Sequence, residues 1–392
     1  LDALHGAGHA AYAVGGCVRD SLLGLDPHDW DLCTSARPEQ VMALFGEEKC
    51  IPTGLQHGTV TVKQGGRLYE TTTFRTEGAY SDGRHPDAVC FVPDVREDLA
   101  RRDFTINAMA YNAKEGLVDP FGGQADLQSG ILRAVGVPHQ RFTEDALRIL
   151  RLYRFAARFG FSIDPPTAQA AQELCAHLDC VSVERIEEEL AKLLSAPAPA
   201  AYLDEKILGV VLPELSPEAL AAAKPVVDAC PAGEQALPVR LAALLLSLGE
   251  DGTRRTLRRL RCSNACIEET AVLVREVVPG VPVSLNIYTR KLLGQYGLKT
   301  VRRLAALGTA LQPEHAADFA ALSELAERLD AGGVCCRISQ LAVNGRDLMA
   351  AGVPAGPGIR KVLEALLDGV IREEYPNERQ ALLAAVQQLA AS

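Results

Sequence analysis

Ala11-Tyr12-Ala13-Val14-Gly15-Gly16-Cys17-Val18-Arg19-Asp20-Ser21-Leu22-Leu23-Gly24 joins a short apolar β-type run to a helix-like segment through two adjacent glycines. Glycine lets the backbone turn sharply and lets another group approach it closely. The N–H groups that open the following helix favour an anion, and Arg19 adds a charged donor beside them. By itself the stretch reads more readily as a plain strand-turn-helix junction, since its spacing is not Gly-x-Gly-x-x-Gly. The residues downstream decide the matter.

Ten residues after Arg19 comes His28-Asp29-Trp30-Asp31-Leu32. In an extended strand, residues i and i+2 share a face, which would set Asp29 beside Asp31. Two carboxylates that close repel each other, and a divalent cation that takes oxygen ligands removes the conflict. A lone Asp-x-Asp is more often a solvated turn. Placed just beyond a glycine turn suited to phosphate, it asks for a metal. Glu70, in the β-type run Tyr69-Glu70-Thr71-Thr72-Thr73-Phe74, is a candidate third carboxylate if that run lies beside the aspartates. An edge-strand Glu pointing to solvent is the equal alternative.

Outward from this core, the first ~140 residues alternate β-type runs with turns, a scale at which one domain is expected. Residues 58–63 and 68–74 flank Gln64-Gly65-Gly66-Arg67, which reads as a hairpin turn. From about Phe142 the pattern changes to Ala/Leu-rich segments with apolar residues three and four apart, broken by Pro/Gly stretches at 195–200, 231–233, 279–282 and 352–358. The expectation is an α+β chain: a mixed-sheet head over 1–140, then an all-helical neck over 141–200, body over 201–290 and tail over 291–392.

The composition sets bounds on this picture. A chain of 392 residues with 48% hydrophobic and 23% charged residues is ordinary for a globular protein of several domains. No run approaches the ~18 apolar residues of a membrane span, and no basic-then-apolar leader follows Leu1, so a cytoplasmic protein is expected. The eleven cysteines are scattered and lack zinc spacing, which predicts free thiols. A net charge of −10 disfavours indiscriminate nucleic-acid binding and confines any such site to a local basic patch. The densest such patch is Arg254-Arg255-Thr256-Leu257-Arg258-Arg259-Leu260-Arg261, with Lys291, Lys299, Arg302 and Arg303 beyond. It reads equally as a track for phosphates or as a solvated helix face.

Gly15-Gly16-x-Val18-Arg19-Asp20, Asp29-x-Asp31, Arg101-Arg102-Asp103-Phe104-Thr105-Ile106-Asn107-Ala108 and Glu144-Asp145-x-x-Arg148 occur in this order. With them the chain resembles the class II tRNA nucleotidyltransferases of the polymerase-β-type superfamily, whose relatives include bacterial poly(A) polymerases. The resemblance covers residues 11–160 and extends more weakly to Val343-Asn344-Gly345-Arg346-Asp347-Leu348 with Gly356-Pro357-Gly358. It implies a nucleotidyltransferase head in which Asp29 and Asp31 hold two Mg²⁺ ions, with Mn²⁺ suited to the same ligands. It also implies that Gly16, Arg19 and Arg102 contact a triphosphate. The partners it implies are the tRNA 3′ end, CTP and ATP; an enzyme that adds A alone, or a poly(A) polymerase, would carry the same motifs. A non-catalytic RNA-binding scaffold is disfavoured by the intact Asp29, Asp31, Arg19 and Arg148.

Residues 141–158 have helical period throughout, which aligns Asp145, Arg148 and Arg151 in a row continued by Arg154 and Arg158. Such a row is commonly a surface helix laced with ion pairs. Its chemistry also fits a selection. Cytosine and adenine each present an amino donor beside a ring-nitrogen acceptor, so one carboxylate and one guanidinium satisfy both, while guanine and uracil present the reverse. The resemblance assigns base recognition to Asp145 and Arg148 and nucleotide binding to Arg151 and Arg154. Residues 76–86, rich in Gly and Asp, read as a loop before a strand at 89–92; enzymes of the family that add only CC lack a flexible loop in this region. Asp119-Pro120-Phe121-Gly122-Gly123 and Gln124-Ala125-Asp126-Leu127 resemble the family's head-to-neck motif and read physically as a turn, with a hinge as one use.

Overall fold

The computed structural model describes residues 1–78, 89–277 and 285–391. Most of the loop expected over 76–86, and the Pro/Gly break at 279–282, lie outside the described residues. The chain divides into two compact units, residues 1–220 with 259–262, and residues 221–258 with 263–392.

The first unit opens on a seven-stranded mixed sheet in the order β3-β4-β5-β2-β1-β8-β9. Its strands are β1 (Ala11–Val14), β2 (Leu32–Thr34), β3 (Cys50–Gly54), β4 (Thr59–Gln64), β5 (Arg67–Thr73), β8 (Ala110–Asn112) and β9 (Gly116–Val118). Between β5 and β8 the chain forms a separate two-stranded ribbon of β6 (Arg75–Glu77) and β7 (Val89–Phe91). β2 and β5 run parallel; the other neighbours are antiparallel. The hairpin read from the sequence is present, with Gln64 paired to Arg67 across Gly65 and Gly66. Those two glycines have φ of 59° and 78°, the doubly positive turn that matches strand twist.

Side-chain alternation divides the sheet into two faces. On one, Ala11, Val60 and Val62 pack with Leu4 and with Val41 of α3 (Pro38–Phe45). On the other, Tyr12, Val14, Cys33 and Ala110 pack with Val95 and Leu99 of α4 (Val95–Ala100). β1 is buried on both faces, which is why it reads as a continuous apolar run rather than an alternating one.

The neck follows as α6 (Pro138–Glu144), α7 (Leu147–Phe159), α8 (Pro165–Glu173) and α9 (Val183–Leu194), with α9 packed on α7. Two expectations need correction. The helix expected over 141–158 is broken at Asp145, which has φ −146° and ψ 104°. Its carboxylate accepts from Leu147 N at 3.1 Å, so a short polar side chain takes over from the helix ladder and starts a new helix. The region expected to be all helix also contains a short strand, β11 (Ser162–Ile163), parallel to β10 (Ile131–Leu132). Arg133, next to β10, bridges Asp126 at 3.1 Å and Asp164 at 2.5 Å.

The second unit is helical as expected and includes Leu237–Leu245, Asn264–Glu276, Leu285–Leu311, Ala316–Ala331 and Gly358–Ile371. Leu285–Leu311 is interrupted at Gly297, whose φ of 79° and ψ of 169° are not helical. Among the described residues no helix is long and apolar enough to cross a membrane.

Candidate active site

β1 ends at the glycine turn as expected. Gly15 has φ 76°, and its N–H already donates to Met109 O at 3.1 Å. The donors left for an anion are therefore the N–H groups opening α2 (Gly16–Leu22). Arg102 lies directly over this turn: a Cβ on Gly15 would stand 2.8 Å from its Nη1. Arg102 donates weakly to the buried carboxylate of Asp98 at 3.4 Å, and its buried Nε has no partner. That is an unspent donor on a cation poised above the glycine turn.

Asp29 and Asp31 come just before β2 rather than within it, both accessible to solvent. The sheet still fixes them, because Asp31 O accepts from Val14 N at 3.0 Å. β5 lies beside β2, and Glu70 precedes the Leu32–Thr71 pair by one step, next to Asp31. Partial desolvation raises the Asp31 carboxyl and Asp29 raises it further, while Arg102 pulls it down. Glu70 is likewise raised by desolvation and then by Asp31, with Arg75 opposing. Asp31 thus has a carboxylate neighbour on either side, Asp29 and Glu70, beside the glycine turn. They are hard oxygen donors of the kind Mg²⁺ takes. Among the described residues no group of three or more His, Cys, Asp or Glu is already drawn together as a metal cage. The pair at 29 and 31 fits an ion whose remaining ligands are phosphate and water, the usual habit of Mg²⁺.

Arg19 departs from the simple picture of a free triphosphate contact. It is 3% exposed, donates to Asn107 Oδ1 at 2.5 Å and pairs with Asp20 at 2.7 Å. Its guanidinium lies over the Phe155 and Phe159 rings at 5.2 and 4.9 Å from their centroids. It ties the glycine-turn helix to the neck. From Asn107 the chain of contacts continues: Asn107 Nδ2 donates to Asp103 at 3.0 Å, and Arg151 donates to Asp103 twice, at 3.0 and 2.7 Å. Burial alone would raise the Asp103 carboxyl, but Arg151, Asn107 and Arg148 hold it well below the usual carboxylate range. Arg154, stacked 3.8 Å over Phe155, donates to Glu189 of α9.

The pair read as selecting the base is present but not as one diagonal row. Asp145 sits at the break between α6 and α7, and Arg185 of α9 grips both its oxygens at 3.3 and 2.7 Å. Arg148 pairs with Glu144 at 2.6 Å and donates to the Arg141 and Arg101 carbonyls. Glu144, Arg185, Glu189, Asp98 and Asn107 were not singled out as site residues. Asn107 lies inside the quoted Arg-Arg-Asp motif, but nothing in the sequence pairs Arg185 with a residue 40 positions away.

Asp119 caps α5 (Gly123–Ser129) by accepting from Gly123 N and Gln124 N at 2.7 and 2.9 Å. A Cβ on Gly123 would collide with Thr105 O, so the turn is held tightly against the Arg-Arg-Asp segment. The basic stretch at 254–261 is largely neutralised: Arg254 pairs with Glu250 and Glu268, Arg259 with Glu214, and Arg261 with Glu184. Arg255 and Arg258 remain exposed there.

Residues 11–133 match the family described as Poly A polymerase head domain, 160–218 the probable RNA and SrmB-binding site of polymerase A, and 239–386 the putative tRNA nucleotidyltransferase domain 2. A CCA-adding enzyme of Lactiplantibacillus plantarum is 36% identical over 98% of this chain and 93% of its own. One from Geobacillus thermodenitrificans is 38% identical over 96% and 92%. The crystal structure of the Bacillus stearothermophilus CCA-adding enzyme in complex with CTP superposes with a TM-score of 0.85 at 34% identity, covering 100% of this chain and 95% of that one.

Proposed function

The chain belongs to the CCA-adding enzymes, a family of tRNA nucleotidyltransferases, and on that premise we propose that it adds C, C and A in turn to the 3′ end of tRNA from CTP and ATP, without a nucleic-acid template. The observation that carries this reading is the carboxylate pair at Asp29 and Asp31 beside the Gly15–Gly16 turn under Arg102. The primer 3′-oxygen attacks the α-phosphorus of the nucleotide, the bond to the bridging oxygen breaks, and pyrophosphate leaves. Asp29 and Asp31 would hold two Mg²⁺ ions, which when bound lower the pKa of the 3′-hydroxyl and neutralise the leaving pyrophosphate. Arg102 and the N–H groups opening α2 bind the triphosphate; Arg19 fixes that helix against the neck. Asp145 and Arg148 read the amino donor and ring acceptor shared by cytosine and adenine. Arg151 and Arg154 complete the nucleotide site through Asp103 and Glu189. Head, neck, body and tail over 1–140, 141–200, 201–290 and 291–392 are part of this reading, as is action in the cytoplasm.

Relatives that span the whole chain are named CCA-adding enzymes, which favours the full CCA reaction over adenosine addition alone. The test is incorporation of labelled CTP, ATP, GTP and UTP, with Mg²⁺, into tRNA transcripts ending before the CCA, after C and after CC. Two C followed by one A is expected; ATP incorporation on the CC transcript alone would point to an A-adding enzyme. Asp29→Ala should abolish incorporation while tRNA binding persists.

A further inference from the structure

Asp98 is fully buried on α4, and two cations reach its carboxylate, Arg101 three residues on and Arg102 four. They are held unequally. Oδ1 accepts from Arg101 Nε at 3.0 Å, lies 2.9 Å from Arg101 Nη2, and accepts from the backbone N–H of Arg75, at the start of β6, at 3.3 Å. Oδ2 accepts from Arg102 Nη2 at 3.4 Å. Hydrogen bonds between a guanidinium and a carboxylate run at about 2.7–2.9 Å, so Arg101 is gripped at nearly full strength while Arg102 only leans on the carboxylate.

That difference matters because Arg102 has other groups to face. Its Nη1 lies over the glycine turn, 2.8 Å from where a Cβ on Gly15 would stand. Its charge acts on Asp31, and its buried Nε has no partner. A carboxylate removed from water is costly unless a cation pairs with it. Were Arg101 not there, Asp98 would satisfy itself by drawing Arg102 into a short two-pronged contact, the geometry a guanidinium and a carboxylate favour. Arg102 would then be turned away from the glycine turn. With Oδ1 occupied by Arg101 and Arg75, the pull on Arg102 is weak, and Asp98 is not left unpaired when Arg102 lets go.

We infer that Asp98 and Arg101 are positioning residues that act as a pair on Arg102: Asp98 sets its resting place beside the glycine turn, and Arg101 keeps that hold loose enough for a triphosphate to take Arg102 over. On arrival of the nucleotide, Arg102 exchanges the 3.4 Å contact with Oδ2 for phosphate oxygens. When pyrophosphate leaves, it falls back on Asp98.

The inference rests on the nucleotidyl-transfer reading, and nucleotide binding separates the two because it needs no turnover. Titration calorimetry with CTP and Mg²⁺ is run on the full-length protein carrying Arg101→Met, Arg101→Met with Asp98→Asn, Arg102→Ala, and Arg102→Ala with Arg101→Met; circular dichroism checks that each is folded. Arg101→Met lets Asp98 capture Arg102, so Kd for CTP should rise about 10-fold, and adding Asp98→Asn removes the competing charge and should bring Kd back to within about 3-fold of wild type. Without Arg102 there is nothing to capture, so in the Arg102→Ala background Arg101→Met should change Kd by less than about 2-fold. A packing defect alone would behave oppositely, with the doubly substituted protein binding worse than the single variant. If Arg101→Met does not fold, Arg101→Lys replaces it: the charge stays but the fork is lost, and a rise in Kd of about 3-fold should again be reversed by Asp98→Asn. An unchanged Kd in the folded Arg101 variant overturns the inference. So does a loss that Asp98→Asn fails to reverse, or one that persists undiminished when Arg102 is absent. A wild-type protein that binds CTP yet incorporates none into tRNA strikes instead at the catalytic reading.

Discussion

Replacing Asp103 with Asn tests whether Arg151, proposed to bind the nucleotide, is held by one buried charge. Asp103 is 8% exposed and accepts from Phe104 N at 2.8 Å, Asn107 at 3.0 Å and Arg151 at 3.0 and 2.7 Å. The amide keeps an acceptor but removes the charge and turns an NH₂ toward a guanidinium. Breaking a buried ion pair on one side costs ~3–5 kcal/mol. Arg151 is 33% exposed and has Glu189 as a second partner at 3.8 Å, so solvent and that partner reduce the loss to about 2–3 kcal/mol. At about 2–4 °C per kcal/mol for a unit of this size, melting should fall by roughly 4–12 °C. The carboxyl is held below its unfolded value, so its contribution is fully present above pH ~3.9 and is lost as pH falls through the lower folded value. The gap between wild type and Asp103→Asn, followed by circular dichroism, should be constant from pH ~5 to ~8 and close only below pH ~4. KM for CTP should rise with it, since Arg151 is freed. A variant melting within about 1 °C of wild type, or a gap that widens on acidification, would falsify the reasoning.

Three other outcomes follow from the same geometry. Arg185→Ala leaves Asp145 without the two donors that orient it, so KM for CTP and ATP should each rise about 10-fold or more, a loss of ~1.4 kcal/mol, while steady-state binding of tRNA is unchanged. Equal nucleotide KM values in the variant would show that Asp145 needs no such support. Gly15→Ala places a side chain at φ 76° and a Cβ 2.8 Å from Arg102 Nη1, which should lower kcat/KM for the nucleotide at least 10-fold and stability by ~1–2 kcal/mol. Full activity would mean that the glycine turn is not in contact with the triphosphate. Arg19→Lys loses the donor to Asn107 or Asp20 and the flat contact with Phe155 and Phe159; a fall of several degrees in melting temperature is expected, whereas a change in nucleotide KM alone would return Arg19 to direct contact with phosphate.

The head was legible because its signals are local. A strand buried on both faces, a glycine pair at its end and a Gly-Gly hairpin each state their conformation within a few residues, and β1, α2 and the β4–β5 turn follow them. Asp29 and Asp31 were legible as chemistry but were displaced from strand to lead-in, a boundary that hydrogen bonding to Val14 settles and sequence does not. The neck was misread at Asp145 because a helical period runs through it unbroken, while one side-chain oxygen capping Leu147 outweighs the period. Arg19 was recognised as important for a reason local to its own turn. Its partners Asn107, Phe155 and Phe159 lie 88 or more positions away, and no spacing rule reaches that far.

The placement of partners also bears on how a protein selects a base without a template. Two residues three positions apart on an isolated helix would be mobile and as able to pair with each other as with a base. Here Asp145 and Arg148 are held apart, each by a different partner: Arg185 from α9 takes the carboxylate, and Glu144 from α6 takes the guanidinium. Arg185 and Glu144 thereby keep the two groups proposed to read the base from neutralising one another. On the proposed reading, a base offering donor beside acceptor matches both, whereas guanine or uracil sets donor against donor and acceptor against acceptor, at ~1–3 kcal/mol for each mismatched group. On that reading, discrimination depends on the stiffness of the break at Asp145. Ala146, buried in the turn that follows it, supplies a test: Ala146→Gly should loosen that turn and raise misincorporation of UTP about 10-fold with little loss of stability. Selectivity that survives the added freedom would locate base choice elsewhere than in this pair.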